Sequence, residues 1–171
     1  MNVTDIPFHQ YLGLELAEPP YLLQLKTAQQ HANHLGTIHA SVLIALAEAG
    51  SGLFLMNHLG RPHGAREEKL PVQHDSASWQ AADHHAEQYD YHDVFPVIRR
   101  IDAKFHQGGQ GTVFARCTLD PSELSNVHAD LLTKHRAKAL VPMQVVDVQG
   151  TLLLSVSFEW FIQRRSLSVA H

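Results

Sequence analysis

The chain has 171 residues and a mass of 19.1 kDa, with 44% hydrophobic and 18% charged residues, a net charge of −4 and a pI of about 6.4. These values suit one globular domain with a substantial core, and they argue against a disordered chain and against a nucleic-acid binder, which would carry a basic stripe. The one cysteine, Cys117, excludes an intrachain disulfide, and the start MNVTDIPFHQ lacks the basic and apolar regions of a signal peptide, so a cytoplasmic protein is expected.

Residues 1–11 read as a lead-in. Leu12, Leu14 and Leu16 then alternate with Gly13, Glu15 and Ala17, which is the period of a strand, and residues 21–26 form its hairpin partner beyond the Glu18-Pro19-Pro20 turn. A helix is expected from about residue 38 to 58, because Ala, Leu and Met dominate and Pro is absent. Thr37 is the expected N-cap, and Gly60 with Pro62 supplies the stop. Ile38, Val42, Ala45, Leu46, Ala49, Leu53 and Met56 form one apolar stripe, which Leu43, Ala47, Phe54 and Leu55 extend around most of the circumference. Such a helix is buried on nearly all sides. Ser41 interrupts the apolar run and Glu48 ends it, well short of the roughly 20 residues that a bilayer requires, so no membrane span is expected.

Glu48 stands where packing would favour another Ala or Leu. Burial raises a carboxyl pKa, at about 1.4 kcal/mol for each unit. Either Glu48 reaches solvent or an arginine at a subunit contact, or it is a catalytic carboxylate in a dry site. His39 lies nine residues earlier, on the opposite face and about 13 Å away along the axis. One helix cannot bring both groups to one small-molecule site. If both serve chemistry, the partner comes from a second copy, which implies a dimer with its site across the interface.

Residues 60–93 are polar and irregular, a lid or a partly mobile loop. Beyond them Val97, Ile101, Ala103 and Phe105 alternate with Arg100, Asp102, Lys104 and His106, with Arg99 out of phase on the apolar face. Residues 108–111 read as a turn into a second hairpin whose core face is Val113, Ala115, Cys117 and Leu119. Asp120-Pro121-Ser122-Glu123 is a capping-box start for a surface helix at about 121–135, with an apolar stripe of Leu124, Val127, Leu131 and Leu132. Residues 137–148 and 151–163 form a third hairpin about Gln149-Gly150, in which Pro142 marks a bulge or an edge. The expected class is α+β, with about six antiparallel strands, one long buried helix and one surface helix.

That layout, over residues 10–163, resembles the hotdog fold, an antiparallel sheet wrapped around a central helix. Asn33, Gly36, His39 and Glu48 resemble the motif of the phenylacetate-pathway-type acyl-CoA thioesterases: Asn, two residues, Gly, two residues, His-Gly-Gly, then Asp or Glu nine residues after the His. Ala40-Ser41 replaces Gly-Gly here. The resemblance implies a single hotdog domain across 1–171, with an insertion at about 60–93 and the extra helix at about 121–135. It also implies a thioesterase for acyl-CoA or acyl-carrier substrates that acts without a metal or redox cofactor, as a homodimer or homotetramer. The free amides of the first helical turn, around His39, Ala40 and Ser41, would hold the developing oxyanion. Glu48 of the partner would be general base or nucleophile, and Asn33 would orient the thioester or the water. Gly36 and Thr37 would shape the turn against the substrate. His39 would polarise the substrate, or else only bond a backbone carbonyl. Phe105 and His106 would border the acyl pocket. A non-catalytic acyl-CoA or lipid-binding module and a hotdog dehydratase or hydratase are the alternatives.

His31, His34, His84, His85 and His92, with Asp83 and Asp93, match no helical HExxH or paired Cys/His pattern, and no metal site is expected. Arg99, Arg100, Lys104, Arg116, Arg164 and Arg165 could meet CoA phosphates or could simply be solvated. Ser41 lacks the G-x-S-x-G setting of a serine nucleophile.

Overall fold

The computed structural model describes residues 3–59 and 94–164, so the expected insertion at 60–93 and Arg165 lie outside the described residues. Pro7 at the first helical position and Gly13 in a left-handed conformation (φ 70°) just past the end bracket a short helix, α1 (Pro7–Leu12), where a plain lead-in was expected. A 3₁₀ turn, Val3–Asp5, precedes it. The chain continues through β1 (Leu14–Leu16), β2 (Leu23–Lys26), α2 (Ala40–Leu59), β3 (Val94–Phe105) and β4 (Thr112–Cys117). A 3₁₀ turn, Pro121–Leu124, then runs into α3 (Ser125–Thr133), followed by β5 (Arg136–Asp147) and β6 (Leu152–Arg164). The capping box at Asp120 forms as expected: its side chain accepts from the Ser122 amide at 2.8 Å, and its own amide donates to Glu123 Oε1 at 3.1 Å.

The six strands make one antiparallel sheet in the order β1-β2-β4-β5-β6-β3. The first and third expected hairpins are present. The second is not: β4 lies between β2 and β5, and β3 pairs with β6 at the far edge. The long β5–β6 ladder takes the middle of the sheet, which leaves β6's other edge for β3. Residues 106–111 therefore form a crossover rather than a tight turn. His106 N–H donates to the Leu153 carbonyl at 2.9 Å, and Gly109 lies directly against the buried Leu153 side chain.

A register shift in β3 between Ile98 and Arg100 explains why Arg99 falls out of phase. Arg99 turns to the outer face, its guanidinium 4.2 Å from the Phe161 ring centroid. Beyond the shift Ile101, Ala103 and Phe105 stand opposite Phe158, Val156 and Leu154, on the helix-facing side of the sheet. They are nevertheless exposed (Ile101 46%, Phe105 47%), because this edge extends past the cover that α2 provides, whereas Val97 (52%) precedes the shift and stands opposite Phe161 on the outer face. The single apolar face that the alternation of these four residues implies is thus divided by the register shift, and its Ile101–Phe105 part is not covered within one chain. Pro142 is neither at an edge nor at a bulge. It lies inside β5, three residues before the irregularity at Val145/Val146. Its carbonyl accepts from Thr118 N–H at 3.0 Å, just past the last β4 pair at Cys117, so the missing Pro amide falls where that ladder has ended.

α2 packs across β2, β4, β5 and β6. Leu43, Leu46, Phe54 and Leu55 are each at most 5% exposed, and burying each contributes roughly 1.5–3 kcal/mol as an upper estimate. Small residues let the helix approach closely: a Cβ on Gly50 would lie 2.9 Å from Met143 Cε and 3.3 Å from Ala115 Cβ. Ser51 is fully buried and bridges helix to sheet, donating to the Glu48 carbonyl at 2.8 Å and accepting from Trp160 Nε1 at 3.1 Å. At 20 residues and a mean hydropathy of 1.5, α2 is long and apolar enough to cross a membrane, contrary to the expectation that it is too short. Here, however, 56% of that window is buried inside the protein, as in a core helix.

Gly109→Ala should destabilise the fold. The new Cβ would fall 2.3 Å from Leu153 Cδ1, and overpacking a filled core costs about 1–3 kcal/mol. A thermal melt should show a lower Tm; an unchanged Tm would mean that the crossover does not press on Leu153.

Candidate active site

The turn before α2 is held by Asn33. Its Oδ1 accepts the Leu35 and Thr37 amides at 2.9 and 3.2 Å, and its Nδ2 donates to Thr37 Oγ1 at 2.9 Å. Gly36 takes the left-handed conformation (φ 74°) that closes this turn, which a side chain there would strain. The crossover clamps the turn from the other side. The Gly109 carbonyl accepts from Ile38 N–H at 2.9 Å, and Gln110 Nε2 donates to the Gly36 carbonyl at 3.0 Å. Gly108 leaves room for the Thr37 methyl, which a Cβ would approach to 2.8 Å.

Thr37 is not the N-cap, because its hydroxyl is engaged by Asn33. His39 is. Its Nδ1 accepts the Ser41 amide at 3.1 Å, and its carbonyl accepts the Val42 amide at 2.9 Å. The ring thus accepts an amide instead of donating to a carbonyl. A ring nitrogen that accepts carries no proton, so in the neutral ring Nε2–H is the donor, on an exposed side chain. Of the three amides expected to be free, His39's donates to the His31 carbonyl at 2.8 Å and Ser41's is capped. The Ala40 amide remains, without a protein partner among the described residues, at the positive end of the helix.

Phe105 ends β3 and His106 opens the crossover, so both are linked through residues 108–110 to the Asn33–Thr37 turn. Phe105 is 47% exposed, and His106 Nε2 shares a 3.0 Å hydrogen bond with Ser155 Oγ. The fold therefore gathers Asn33, Gly36, Thr37, His39, Ala40, Ser41, Phe105 and His106 towards one end of α2.

Glu48 is not brought there. It lies nine residues along the same rod, roughly 13 Å from His39. Its side chain is half-buried, and no hydrogen bond or ion pair holds the carboxylate among the described residues. Burial pushes the Glu48 carboxyl up from its ordinary value, and the charge of His9 acts in the opposite direction. His9 was missed in the sequence, although Pro7 and Gly13 already marked a short helix around it.

The cations raised as phosphate contacts are dispersed. Arg100 makes an exposed 3.8 Å pair with Asp102, and Arg116 donates to Gln144 Oε1 at 3.0 and 2.7 Å. His34 is exposed, whereas His31 is buried with its Nδ1 accepting the Ala28 amide at 3.0 Å. Among the described residues no group of three or more His, Cys, Asp or Glu side chains could hold a metal ion; His84, His85, His92, Asp83 and Asp93 lie outside them.

No protein-family model matches the chain, and no curated protein matches it in sequence. Solved structures do match. A Pseudomonas aeruginosa protein described as a probable thioesterase superposes with a TM-score of 0.66 at 18% identity, over 95% of this chain and 91% of that one. A Staphylococcus aureus thioesterase, solved as a glutamine-to-alanine variant, superposes with a TM-score of 0.55 at 10% identity, over 91% and 98%. A glutamate-to-alanine variant of the same protein gives 0.56. A Bacillus halodurans protein solved with CoA gives 0.51 at 13% identity, over 91% and 76%. At these identities the likeness is one of fold: the chain has the hotdog fold found in thioesterase-superfamily proteins.

The desolvation of Glu48 has a signed consequence. A carboxyl whose pKa is raised by folding binds its proton more tightly in the folded chain, so its contribution to stability is present at acid pH and is lost as pH rises through the raised value. Glu48→Gln cannot ionise. It should unfold at higher urea than the wild type at pH 7, with the gap closing below the ordinary carboxylate range. Equal midpoints at neutral pH would mean that the carboxylate is well solvated.

Proposed function

We propose that the protein is a thioesterase that hydrolyses acyl-CoA or acyl-carrier thioesters in the cytoplasm, without a metal or redox cofactor. The observation that carries this reading is Glu48: a half-buried carboxylate with no hydrogen bond or ion pair among the described residues, on the same helix as a capped first turn that it cannot reach. A thioester carbonyl at the start of α2 would meet the Ala40 amide, the helix dipole and the His39 Nε2–H donor. Asn33 then acts by holding the turn, since both of its polar atoms bond within it. Glu48 of a second copy takes a proton from water while the water oxygen bonds to the carbonyl carbon. The C–S bond then breaks, and the proton passes to the departing thiolate. Direct attack by the carboxylate, with an acyl-enzyme anhydride that water then opens, uses the same placement.

The second copy is supported by β3. Twelve residues long and paired on one side only among the described strands, it bears exposed Val97, Ile101 and Phe105, a combination that invites pairing with another chain. Pairing about a two-fold axis would cover Ile101 and Phe105 and leave Phe105 and His106 beside a shared acyl pocket, in a homodimer that could pair again into a tetramer. Two features of the relatives fit. The Bacillus halodurans protein was solved with CoA, and the substituted glutamine and glutamate of the Staphylococcus aureus thioesterase are fifteen residues apart, the separation of Asn33 and Glu48 here.

Across a panel of acyl-CoA thioesters, Glu48→Ala should lower kcat by roughly 10²–10⁴-fold while the circular dichroism spectrum stays native. Wild-type turnover in the variant would remove the assignment. Tight binding of acyl-CoA by the wild type with no hydrolysis would favour the non-catalytic module instead.

A further inference from the structure

The outer face of the sheet carries a charge opposite to that of the chain as a whole. On β3, β4 and β5, Arg99, Arg100, Lys104, Arg116, Arg136 and Lys138 fall on this face, out of phase with the core positions. Across β3, β4, β5 and β6 only two acids accompany them, Asp102 on β3 and Glu159 on β6. These six are most of the Lys and Arg side chains among the described residues, in a protein of net charge −4. Arg100 pairs with Asp102 at 3.8 Å and Lys138 with Glu159 at 3.5 Å. Arg99, Lys104, Arg116 and Arg136 have no acidic partner among the described residues. Exposed pairs of this kind bind weakly, so the face keeps its positive field.

Spread over four strands, the cations make no fixed cradle for a single phosphate group. They surround apolar side chains instead. Exposed Val97 stands beside Phe161, whose ring carries the Arg99 guanidinium, and exposed Leu140 lies on β5 one outer-face position beyond Lys138. Arginine, an aromatic ring and an apolar centre within a charged rim suit a protein surface better than a bare polyanion. The backbone of this area measures roughly 14 Å across the four strands and about 27 Å along them, which fits a short-lived contact. It also reaches the candidate site: Lys104 pairs in register with Ser155, and Ser155 Oγ shares the 3.0 Å bond with His106 Nε2, next to Phe105.

We propose that this face docks an acidic carrier protein that delivers the thioester, so that the preferred substrate is an acyl group on a carrier. The inference rests on the thioesterase reading above and narrows its substrate. A second copy of this chain does not fit here, because a two-fold contact would set positive charge against positive charge. Pairing through the β3 edge leaves the face open and sets two such faces side by side. The docked carrier lies away from the reacting carbonyl, so its charge acts on association and not on the chemical step.

Arg136→Glu with Lys138→Glu tests this, because both side chains are exposed, at the end of β5 away from the crossover. The probes are an acidic acyl carrier protein, alone and loaded with an acyl group, and the CoA thioester of the same group. In the double variant the Kd for the carrier and KM for the loaded carrier should rise roughly tenfold or more, with kcat little changed. Both constants for acyl-CoA should stay within about twofold of the wild type, and added salt should weaken carrier binding by the wild type. An unchanged Kd for the carrier, an equal loss on acyl-CoA, or a changed oligomeric state in place of lost binding overturns the proposal. Arg136→Gln with Lys138→Gln serves in the same way if the reversed variant does not fold. A wild type that hydrolyses no thioester would overturn the enzyme assignment, while binding of the carrier alone would still decide what this face docks.

Discussion

The burial of α2 against four strands is the constraint from which the rest follows. A helix covered on several sides by Val, Leu and Phe leaves no ready place for a charge, yet Glu48 is carried in it, and desolvation raises its pKa. The same packing makes α2 a rigid spacer. Its first turn and its carboxylate are held a fixed nine residues apart, and no local motion can bring them together. In the proposed enzyme this rigidity is the reason that the site is divided between two chains.

The start of α2 owes its shape to an unusual clamp. Asn33 closes the turn from within, Gly36 supplies the left-handed corner, and the crossover at residues 108–110 grips the turn through a backbone bond and a glutamine amide. Gly108 and Gly109 are needed there because Thr37 and Leu153 occupy the space a Cβ would take. The crossover exists because β3 and β4 are not neighbours in the sheet. Sheet topology thus sets the geometry of the turn before α2, and His39 completes it by capping the helix and leaving its other nitrogen unbonded among the described residues.

Much of this was legible in the chain. Composition and the absence of Pro marked α2 to within two residues, and Gln149-Gly150 and the Asp120 capping box marked the last hairpin and α3. The strand order was not legible, because a glycine-rich turn between two alternating segments reads the same whether the strands pair or cross over. The out-of-phase Arg99 was visible as an anomaly, but its cause is a bulge set by pairing with β6, which no local pattern encodes. The exposure of Ile101 and Phe105 was likewise hidden, since alternation reports which face a residue shares and not whether anything covers that face. At the site, the spacing of His39 and Glu48 carried the inference of two chains. The capping role of His39 was missed because Thr37 is the more usual residue for it, and Asn33's engagement of the Thr37 hydroxyl is a tertiary detail.

The central claim, that Glu48 of one copy serves the turn of another, is tested most directly by complementation. A His39→Ala chain and a Glu48→Ala chain, each nearly inactive alone, are co-expressed and their mixed dimer is confirmed by mass spectrometry. A site shared across a two-fold axis predicts that random mixing restores about a quarter of wild-type thioesterase activity, because half of the dimers are mixed and each mixed dimer holds one intact site. Mixed dimers that form and stay inactive, or a wild type that is fully active as a monomer, would contradict it.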